Sequence, residues 1–267
     1  MSGNDVYEVY AIRYATVSER QRKDNFIFVD GHDGPMPIDF YVWAIVGKDR
    51  TFVVDLGFSA EDAAARGRLL ERTPAEGLKL VGVDAAEVKD VIVTHLHWDH
   101  AGNHHEFPNA RFHLQDREMA YATGRHMQHD ALRRFFTVEP VIGMVREVYN
   151  GRVDFYDGDA ELAPGISVHL IGGHTMGLQV VRVNTRRGQV VLASDGAHFY
   201  DNMLDGNPFP VVYNVADMLA GHKKVYSLAD SANHVIPGHD PQVRAFYPAV
   251  SSEAEGIAVR LDVDPAL

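Results

Sequence analysis

Cysteine is absent from this 267-residue chain, and long apolar runs are absent as well. Without cysteine there is no disulfide, no thiol nucleophile and no thiolate ligand, so any bound metal must be held by nitrogen and oxygen atoms. No run approaches the ~18 consecutive apolar residues that a membrane span requires. The first 25 residues also lack the continuous apolar core of a secretion signal. We therefore expect a cytoplasmic protein without a membrane span.

Basic residues are also fewer than acidic residues. The chain has 25 Lys and Arg residues against 37 Asp and Glu residues, which gives a formal net charge of −12. This balance repels polyanions, so we expect a small-molecule substrate and no nucleic-acid partner. The compact basic clusters are short and typical of solvated turns. They are Arg20-Gln21-Arg22-Lys23, Arg133-Arg134, Arg186-Arg187 and Lys223-Lys224.

The chain alternates between strand-like and helix-like segments. Short runs rich in branched apolar residues predict strands at 6–15, 38–46, 51–56, 91–94, 110–114, 166–171, 178–184, 189–193 and 233–236. Helical patterns occupy 60–71, 116–122, 130–136 and 211–224. No low-complexity linker interrupts this order, which favours a single α/β domain over residues 1–267. A helical insertion at about 116–150 separates two strand-rich halves, and insertions of this length are often lids or binding loops.

Histidine is abundant, with 15 residues crowded chiefly after the predicted strand at 91–94. That strand leads directly into His95-Leu96-His97-Trp98-Asp99-His100. Imidazole nitrogen and carboxylate oxygen are ligands of divalent ions such as zinc. In an extended segment His95 and His97 point to the same side, and a sharp turn at 99–102 brings Asp99 and His100 to a neighbouring position. The loop therefore predicts two adjacent metal ions, and a pH-sensitive surface cluster is the alternative.

Further donors follow other strand ends. His174 comes after two glycines, Asp195 after a serine, and His239 after a Pro-Gly pair. Each stretch has the same order of strand, small residues and possible ligand. The repetition predicts that all these donors meet on one rim of a sheet sandwich, where loops converge on a rigid scaffold.

These motifs resemble those of the metallo-β-lactamase superfamily. The likeness consists of a Thr-His-x-His-x-Asp-His loop, a later Gly-His-Thr, a Ser-Asp pair and a C-terminal Gly-His. Val53-Val54-Asp55-Leu56-Gly57 is similar to the Val-Asp-x-Gly turn of the superfamily, so the resemblance runs from about residue 38 to 240. It implies a four-layer αβ/βα sandwich with a dinuclear metal centre.

The resemblance also implies a role for each donor. The first ion would be bound by His95, His97 and His174, the second by Asp99, His100 and His239, and Asp195 would bridge the two. Two divalent ions are implied, and zinc is the expected one, although manganese, iron and cobalt also suit these donors. A hydroxide bridging the ions is the implied nucleophile.

Two carboxylates receive additional roles. Asp99 lies next to both ions in this scheme and is a candidate proton carrier. Asp55 either steadies a ligand histidine or bonds nearby backbone in its turn.

Within the superfamily, the chain most resembles the N-acyl homoserine lactonase group, in length, in its lack of an appended domain and in its helical insertion. This implies hydrolysis of a lactone, either an N-acyl homoserine lactone or another small lactone. That group typically has Tyr three residues after the bridging Asp, and here His198 occupies that position. An imidazole can donate the same hydrogen bond, so His198 is a candidate catalytic residue; the alternatives are Tyr200 in that role and a surface position for His198.

The sequence is compatible with several other substrates. A cyclic amide or a small ester is an alternative substrate, as is the thioester of a glyoxalase II-like enzyme, although only Arg244 and Arg260 offer basic charge after His239. A metal-stabilised binding protein is a further alternative, and either a monomer or a homodimer is compatible with the sequence. The expected pocket wall consists of Phe40, Tyr41, Trp98, Met119, Tyr121, Phe135, Phe136 and Met144.

Overall fold

A computed structural model describes residues 5–29 and 31–266. Its strands are β1 (Glu8–Val17), β2 (Ile38–Val46), β3 (Thr51–Val54), β4 (Asp90–Ile92), β5 (Arg111–Gln115), β6 (Val153–Tyr156), β7 (Ala160–Ala163), β8 (Ile166–Leu170), β9 (Gln179–Thr185), β10 (Gly188–Ser194), β11 (Val235–Pro237) and β12 (Ala258–Arg260). Its α-helices are α1 (Ala60–Ala65), α2 (Pro74–Lys79), α3 (Asp116–Ala122), α4 (Asp130–Arg133), α5 (Val138–Tyr149), α6 (Tyr200–Leu204), α7 (Val215–Leu228) and α8 (Gln242–Phe246).

The strands form two sheets. One has seven strands in the order β12-β1-β2-β3-β4-β5-β6, and the other has five in the order β11-β10-β9-β8-β7. Pairing is parallel from β3 through β6 and again between β10 and β11. Parallel strands end at the same edge of a sheet, so the loops that follow β3, β4, β10 and β11 are brought together there.

The two sheets pack face to face and are covered by helices. Alternate residues of β1 and β2, such as Val9 and Trp43, meet Val181 and Leu192 of the smaller sheet in one buried cluster. The other face of the larger sheet is covered by a second cluster, and α6 and α7 cover the smaller sheet. The predicted four-layer sandwich is therefore confirmed. Among the described helices, none combines the length and the apolar character that crossing a membrane would require.

Several predicted element boundaries were wrong. The helix predicted at 60–71 ends at Ala65, because Gly67 adopts a φ of 61° that a helix cannot continue. The helix predicted from 211 begins at Val215, where the Asn214 side chain caps two backbone N–H groups. The stretch at 116–150 contains α3, α4 and α5, of which α5 was not predicted. The predicted domain includes residues 1–4, 30 and 267, which lie outside the described residues, and its extent stays a prediction.

Candidate metal centre

The loop after β4 buries its imidazoles against the sheet edge. His95, His97 and His100 are at most 4% exposed, and the Asp99 side chain is 12% exposed. His174, Asp195 and His239 reach the same place from the ends of β8, β10 and β11, each at 2% exposure. The structure thus brings every predicted donor together. Charged or polar groups are rarely buried this densely unless they are paired or bind a metal.

Asp195 lies between two sets of imidazoles. Its Oδ2 is 3.1 Å from His174 Nε2 and 3.8 Å from His95 Nε2. Its Oδ1 is 3.2 Å from His100 Nε2 and 2.9 Å from His239 Nε2. Each carboxylate oxygen therefore faces a different set, which is the arrangement that a bridging ligand needs.

The donor atoms fall into groups of the size that an ion requires. Ligand atoms of His95, His97, His174 and Asp195 lie within 4.8 Å of one another, and so do those of Asp99, His100 and His239. Nε2 of His174 lies 2.8 Å from Nδ1 of His97, so two ring nitrogens face each other directly. Within the described part of the chain, Nε2 of His95 and Nε2 of His100 are buried without a hydrogen-bond partner. Unpaired buried nitrogens that converge in this way fit a pair of divalent ions.

The outward-facing ring nitrogens have partners that fix the rings. Nδ1 of His174 donates to the Val211 carbonyl oxygen at 2.6 Å, and Nδ1 of His239 donates to the Asp39 carbonyl oxygen at 2.8 Å. With the proton on Nδ1, each ring presents the lone pair of Nε2 to the centre. This is the support that metal-ligating histidines usually have.

Asp55 supports His100 in the same way. Its Oδ2 lies 2.7 Å from Nδ1 of His100, and it also accepts hydrogen bonds at 2.8 Å from the backbone N–H and the hydroxyl of Thr94. Asp55 and Ser194 both adopt positive φ, 64° and 45°, at the strand ends that carry the centre. Backbone strain of this kind is concentrated at functional sites. Of the two roles considered for Asp55, steadying a histidine is therefore the one that its contacts support.

The local field divides the imidazoles into two types. Burial, followed by neighbouring imidazoles, holds the pKa of His95 and His97 well below the ordinary value. Burial also acts to lower the pKa of His100, but the carboxylates around it, Asp195 first, outweigh burial and raise that pKa well above the ordinary value. The pKa of His239 is raised for the same reason, despite burial. The first two rings therefore favour the neutral form that binds a metal, whereas the other two hold a proton more strongly, and this proton competes with a metal.

Glu118 of α3 was not predicted to contribute to the centre. Its carboxylate accepts hydrogen bonds from the backbone N–H of Leu96 at 2.9 Å and of Gly177 at 3.1 Å, which joins the two loops that carry His97 and His174. Burial raises its pKa. A glutamate at the start of a helix gives no sequence signal for this role, because both of its partners are backbone groups from separate segments.

Five of the donors line the floor of an open pocket of about 400 Å³; they are His97, Asp99, His174, Asp195 and His239. Phe40, Trp98 and Phe135 line it as predicted, and Phe209 lines it without having been predicted. The remaining predicted wall residues do not line this pocket and contribute to packing instead; they are Tyr41, Met119, Tyr121, Phe136 and Met144. Arg20, Arg68 and Arg134 also lie on the lining, and no sequence motif groups them.

His198 is buried at the pocket floor, which excludes the surface position considered for it. Its Nε2 lies 3.0 Å from Oδ2 of Asp195, and its ring stacks on Phe209 with centroids 3.7 Å apart and planes 5° from parallel. Burial lowers its pKa to about 3, although Asp195 acts in the opposite direction. His198 also forms a possible metal-binding group with Asp195 and His239, which was not predicted. Tyr200 lies outside the pocket lining, with its ring against Phe246, so it does not take the substrate-facing position.

Comparison with known proteins agrees with this geometry. A model of the metallo-beta-lactamase superfamily matches residues 40–263. The chain belongs to the metallo-β-lactamase superfamily. It therefore shares with other members a two-sheet α/β fold, and its His and Asp cluster makes it a metal-dependent hydrolase.

Individual superfamily members resemble the chain at modest identity. An N-acyl homoserine lactonase AttM of Rhizobium johnstonii is 28% identical over 237 residues, which is 79% of this chain and 85% of that protein. Another AttM lactonase, from Azorhizobium caulinodans, is 31% identical over 176 residues, 61% of this chain and 62% of that protein. Among solved structures, an N-acyl homoserine lactone hydrolase with N-hexanoyl-L-homoserine at its catalytic metal centre superposes with a TM-score of 0.71. That structure is 21% identical, covers 90% of this chain and 96% of its own, and establishes the shared fold.

The predicted superfamily, fold and enzyme class are thus confirmed. The roles of individual donors, the cytoplasmic location and the oligomeric state stay predictions.

Proposed function

We propose that this metallo-β-lactamase superfamily member hydrolyses lactone rings with two Zn2+ ions held at the centre. The observation that carries the proposal is the position of Asp195 between two sets of donors on the floor of an open pocket. The lactonases among the relatives support the choice of a lactone. N-acyl homoserine lactones, which those relatives are named for, are the first substrates to test.

The predicted assignment of ligands is retained. The first ion would be held by His95, His97 and His174, the second by Asp99, His100 and His239, with Asp195 between them. Divalent ions bound there would polarise a carbonyl group and lower the pKa of a water molecule from ~16 towards ~7. Zn2+ is proposed because imidazole and carboxylate donors in groups of three or four are typical of zinc sites.

Asp99 is proposed to carry the proton. Its carboxylate is the most exposed of the donors, at 12%, and its Oδ2 lies 3.6 Å from His100 Nε2 and 3.9 Å from His239 Nε2. It can therefore accept the proton that is released when water attacks the lactone carbonyl. It can then return that proton to the ring oxygen that leaves as the C–O bond breaks.

His198 is proposed to orient the lactone carbonyl. Because its pKa is about 3, the imidazole is neutral near pH 7 and has a single N–H to donate. Stacking on Phe209 fixes the plane of the ring, and Nε2 is held at the pocket floor beside Asp195. Nε2–H would donate to the lactone carbonyl oxygen in place of Oδ2 of Asp195, the oxygen that an ion would take up. This hydrogen bond would place the ester carbon of the lactone above the donor groups.

The basic residues that follow His239 do not support the thioester alternative. Arg244 donates to Asp39 at 2.8 Å, and Arg260 donates to Asp262 at 2.7 Å, so both are occupied away from the pocket. Neither is placed to bind the acidic peptide of a glutathione thioester.

The test offers a panel of compounds to the zinc-loaded protein. Hydrolysis is measured as the proton release at constant pH. The panel contains N-hexanoyl homoserine lactone, γ-butyrolactone, a cyclic amide, a linear ester and a thioester. We expect the lactones to be hydrolysed fastest. Asp195→Ala should bind less metal and lose turnover, because removing it takes both bridging oxygens from the centre. Full zinc content without lactone hydrolysis in the wild type would refute the proposal, and wild-type activity in Asp195→Ala would refute the bridging role.

A further inference from the structure

Three arginines lie on the lining of the catalytic pocket. Arg20 follows β1, Arg68 follows α1 and Arg134 follows α4, so three separate segments bring positive charge to one opening. The chain carries a net charge of −12 and has only 25 basic residues. Gathering like charges is unfavourable unless a counter-charge offsets it. The same lining carries three aspartates, Asp24, Asp99 and Asp195, so the question is which of the arginines these carboxylates engage.

Among the residues that the structure describes, two of these guanidinium groups have no acidic partner. Across residues 5–29 and 31–266, Arg68 and Arg134 form no side-chain ion pair or hydrogen bond, although both are exposed. By contrast, other arginines of the chain are paired, such as Arg111 with Asp154 and Arg152 with Glu147. The charges at the pocket are therefore left available to something that enters it.

Two of the arginines, Arg20 and Arg134, stack on aromatic rings of the pocket wall. The Arg134 guanidinium lies 4.7 Å from the centroid of Phe135, and that of Arg20 lies 4.8 Å from the centroid of Phe209, both of which line the pocket. Arg20 is fixed further by hydrogen bonds to the Asn25 side chain and the Asp24 carbonyl oxygen. Guanidinium groups stacked on aromatic rings lose little entropy when they bind an oxyanion.

Negative charge at the same opening is already engaged. Asp99 and Asp195 face the imidazoles of the centre, and the Asp24 carboxylate accepts a hydrogen bond from the Gln21 backbone N–H at 3.1 Å. The pKa of Arg20 is lowered, first by burial and also by the charge of Arg68, with Asp24 acting in the opposite direction. Among the described residues, the basic groups at the opening without an acidic partner are therefore Arg68 and Arg134.

We propose that Arg68 and Arg134, with Arg20 beside them, bind a carboxylate on the substrate. The inference rests on the proposed lactone hydrolysis and adds to it a preference for lactones that carry an anionic group outside the ring. Guanidinium groups match carboxylates in geometry and charge, which gives them selectivity over a neutral amide of the same shape. The reaction at the lactone ring is unchanged, and the carboxylate serves only to position the substrate.

The test compares two lactones of nearly equal size, γ-butyrolactone-γ-carboxylate and its primary carboxamide. Zinc-loaded wild type should show a ratio of kcat/KM, carboxylate over amide, of about 10 or more at low ionic strength. Because the groups are exposed, Arg68→Gln and Arg134→Gln should each lower this ratio about threefold, and the double variant about tenfold. Added NaCl should lower the wild-type ratio through screening.

The matched control is Arg125→Gln. Arg125 is exposed, belongs to the insertion that contains Arg134 and lies off the pocket lining. Its loss changes the net charge as much as either single variant does, but should leave the kcat/KM ratio unchanged. A wild-type ratio near 1, or an equal ratio in the wild type and the double variant, would overturn the inference.

A failure of the proposed function would be distinguishable. If neither lactone is hydrolysed, the lactonase proposal fails. The Kd values of the same two compounds, measured by calorimetry on the same zinc-loaded proteins, then test the arginine inference through the same ratio. A carboxylate preference that the double variant loses supports it, and equal Kd values overturn it.

Discussion

Asp55→Asn tests the contact between Asp55 and His100 without removing His100, the proposed metal ligand. Asn is close to Asp in shape and tolerates the positive φ of 64° at this position, so the substitution adds little backbone strain. Its amide can keep one oxygen on the Thr94 backbone N–H, but it then turns an N–H towards Nδ1 of His100. His100 would have to present a lone pair to that amide and carry its proton on Nε2. The substitution thus turns the wrong nitrogen towards the metal.

The magnitude has two parts. Loss of support behind a ligand histidine typically weakens metal binding by about 10–100-fold, and only the ion held by Asp99, His100 and His239 should be affected. Loss of charged hydrogen bonds within a buried network should lower the free energy of unfolding of the metal-free protein by ~2 kcal/mol. For a chain of this size, that corresponds to a fall in Tm of roughly 4–8 °C.

Competitive zinc titration and urea unfolding of the metal-free protein measure these parts separately. Asp62→Asn is the matched control, since Asp62 is also buried and accepts hydrogen bonds from Thr137 at 2.7 Å and Ser59 at 3.4 Å, but lies outside the centre. It should lower stability while leaving both zinc affinities unchanged. If Asp55→Asn binds two zinc ions as tightly as Asp62→Asn does, the role assigned to Asp55 is wrong.

Three further predictions concern the metal and the backbone around it. Chelation should lower the Tm, because a metal present at 1,000 times its Kd stabilises the folded state by ~4 kcal/mol, or roughly 10 °C here; an unchanged Tm in calorimetry would show that the donors are not filled. The raised pKa values of His100 and His239 mean that protons compete with zinc for these two rings. The apparent affinity for zinc, measured in buffered titrations, should therefore fall at least about tenfold between pH 7 and pH 6. A zinc affinity that does not change with pH would contradict the direction of these pKa shifts. Gly238→Ala should cost about 1–3 kcal/mol, since a Cβ there would lie 2.6 Å from the Ser194 carbonyl, whereas Gly34→Ala, with open space around it, should be neutral in urea unfolding.

The metal centre could be predicted from the sequence because its signals are local. Each donor sits a few residues after a strand of branched residues, and strand ends are easy to recognise. The fold followed from the same motifs. His198 was identified only by its position relative to Asp195, and its burial and its stacking on Phe209 required the structure.

The helix α5 shows why other features were missed. Pro140 and Gly143 both lower helix propensity, and no separate helix was predicted over Val138–Tyr149. Pro140 lies in the first turn, where no helical N–H is lost, and Gly143 leaves room for the His104 ring, which would lie 2.2 Å from a Cβ there. The pocket arginines were missed for a related reason, since three residues from distant segments share no pattern until the chain is folded.

The division of the donors between the two parts of the chain has a consequence for how the enzyme could be assembled. The loop after β4 supplies donors to both metal groups, but His174, Asp195 and His239 all come from the part of the chain that follows β6. A cut in the connection between β6 and β7 would separate the ligands proposed for each ion, so neither fragment would retain either proposed ligand set. The second fragment would keep only the smaller group of Asp195, His198 and His239. If the two fragments are mixed and associate, both metal content and activity should therefore be restored. The bound metal would then link the two halves of the molecule.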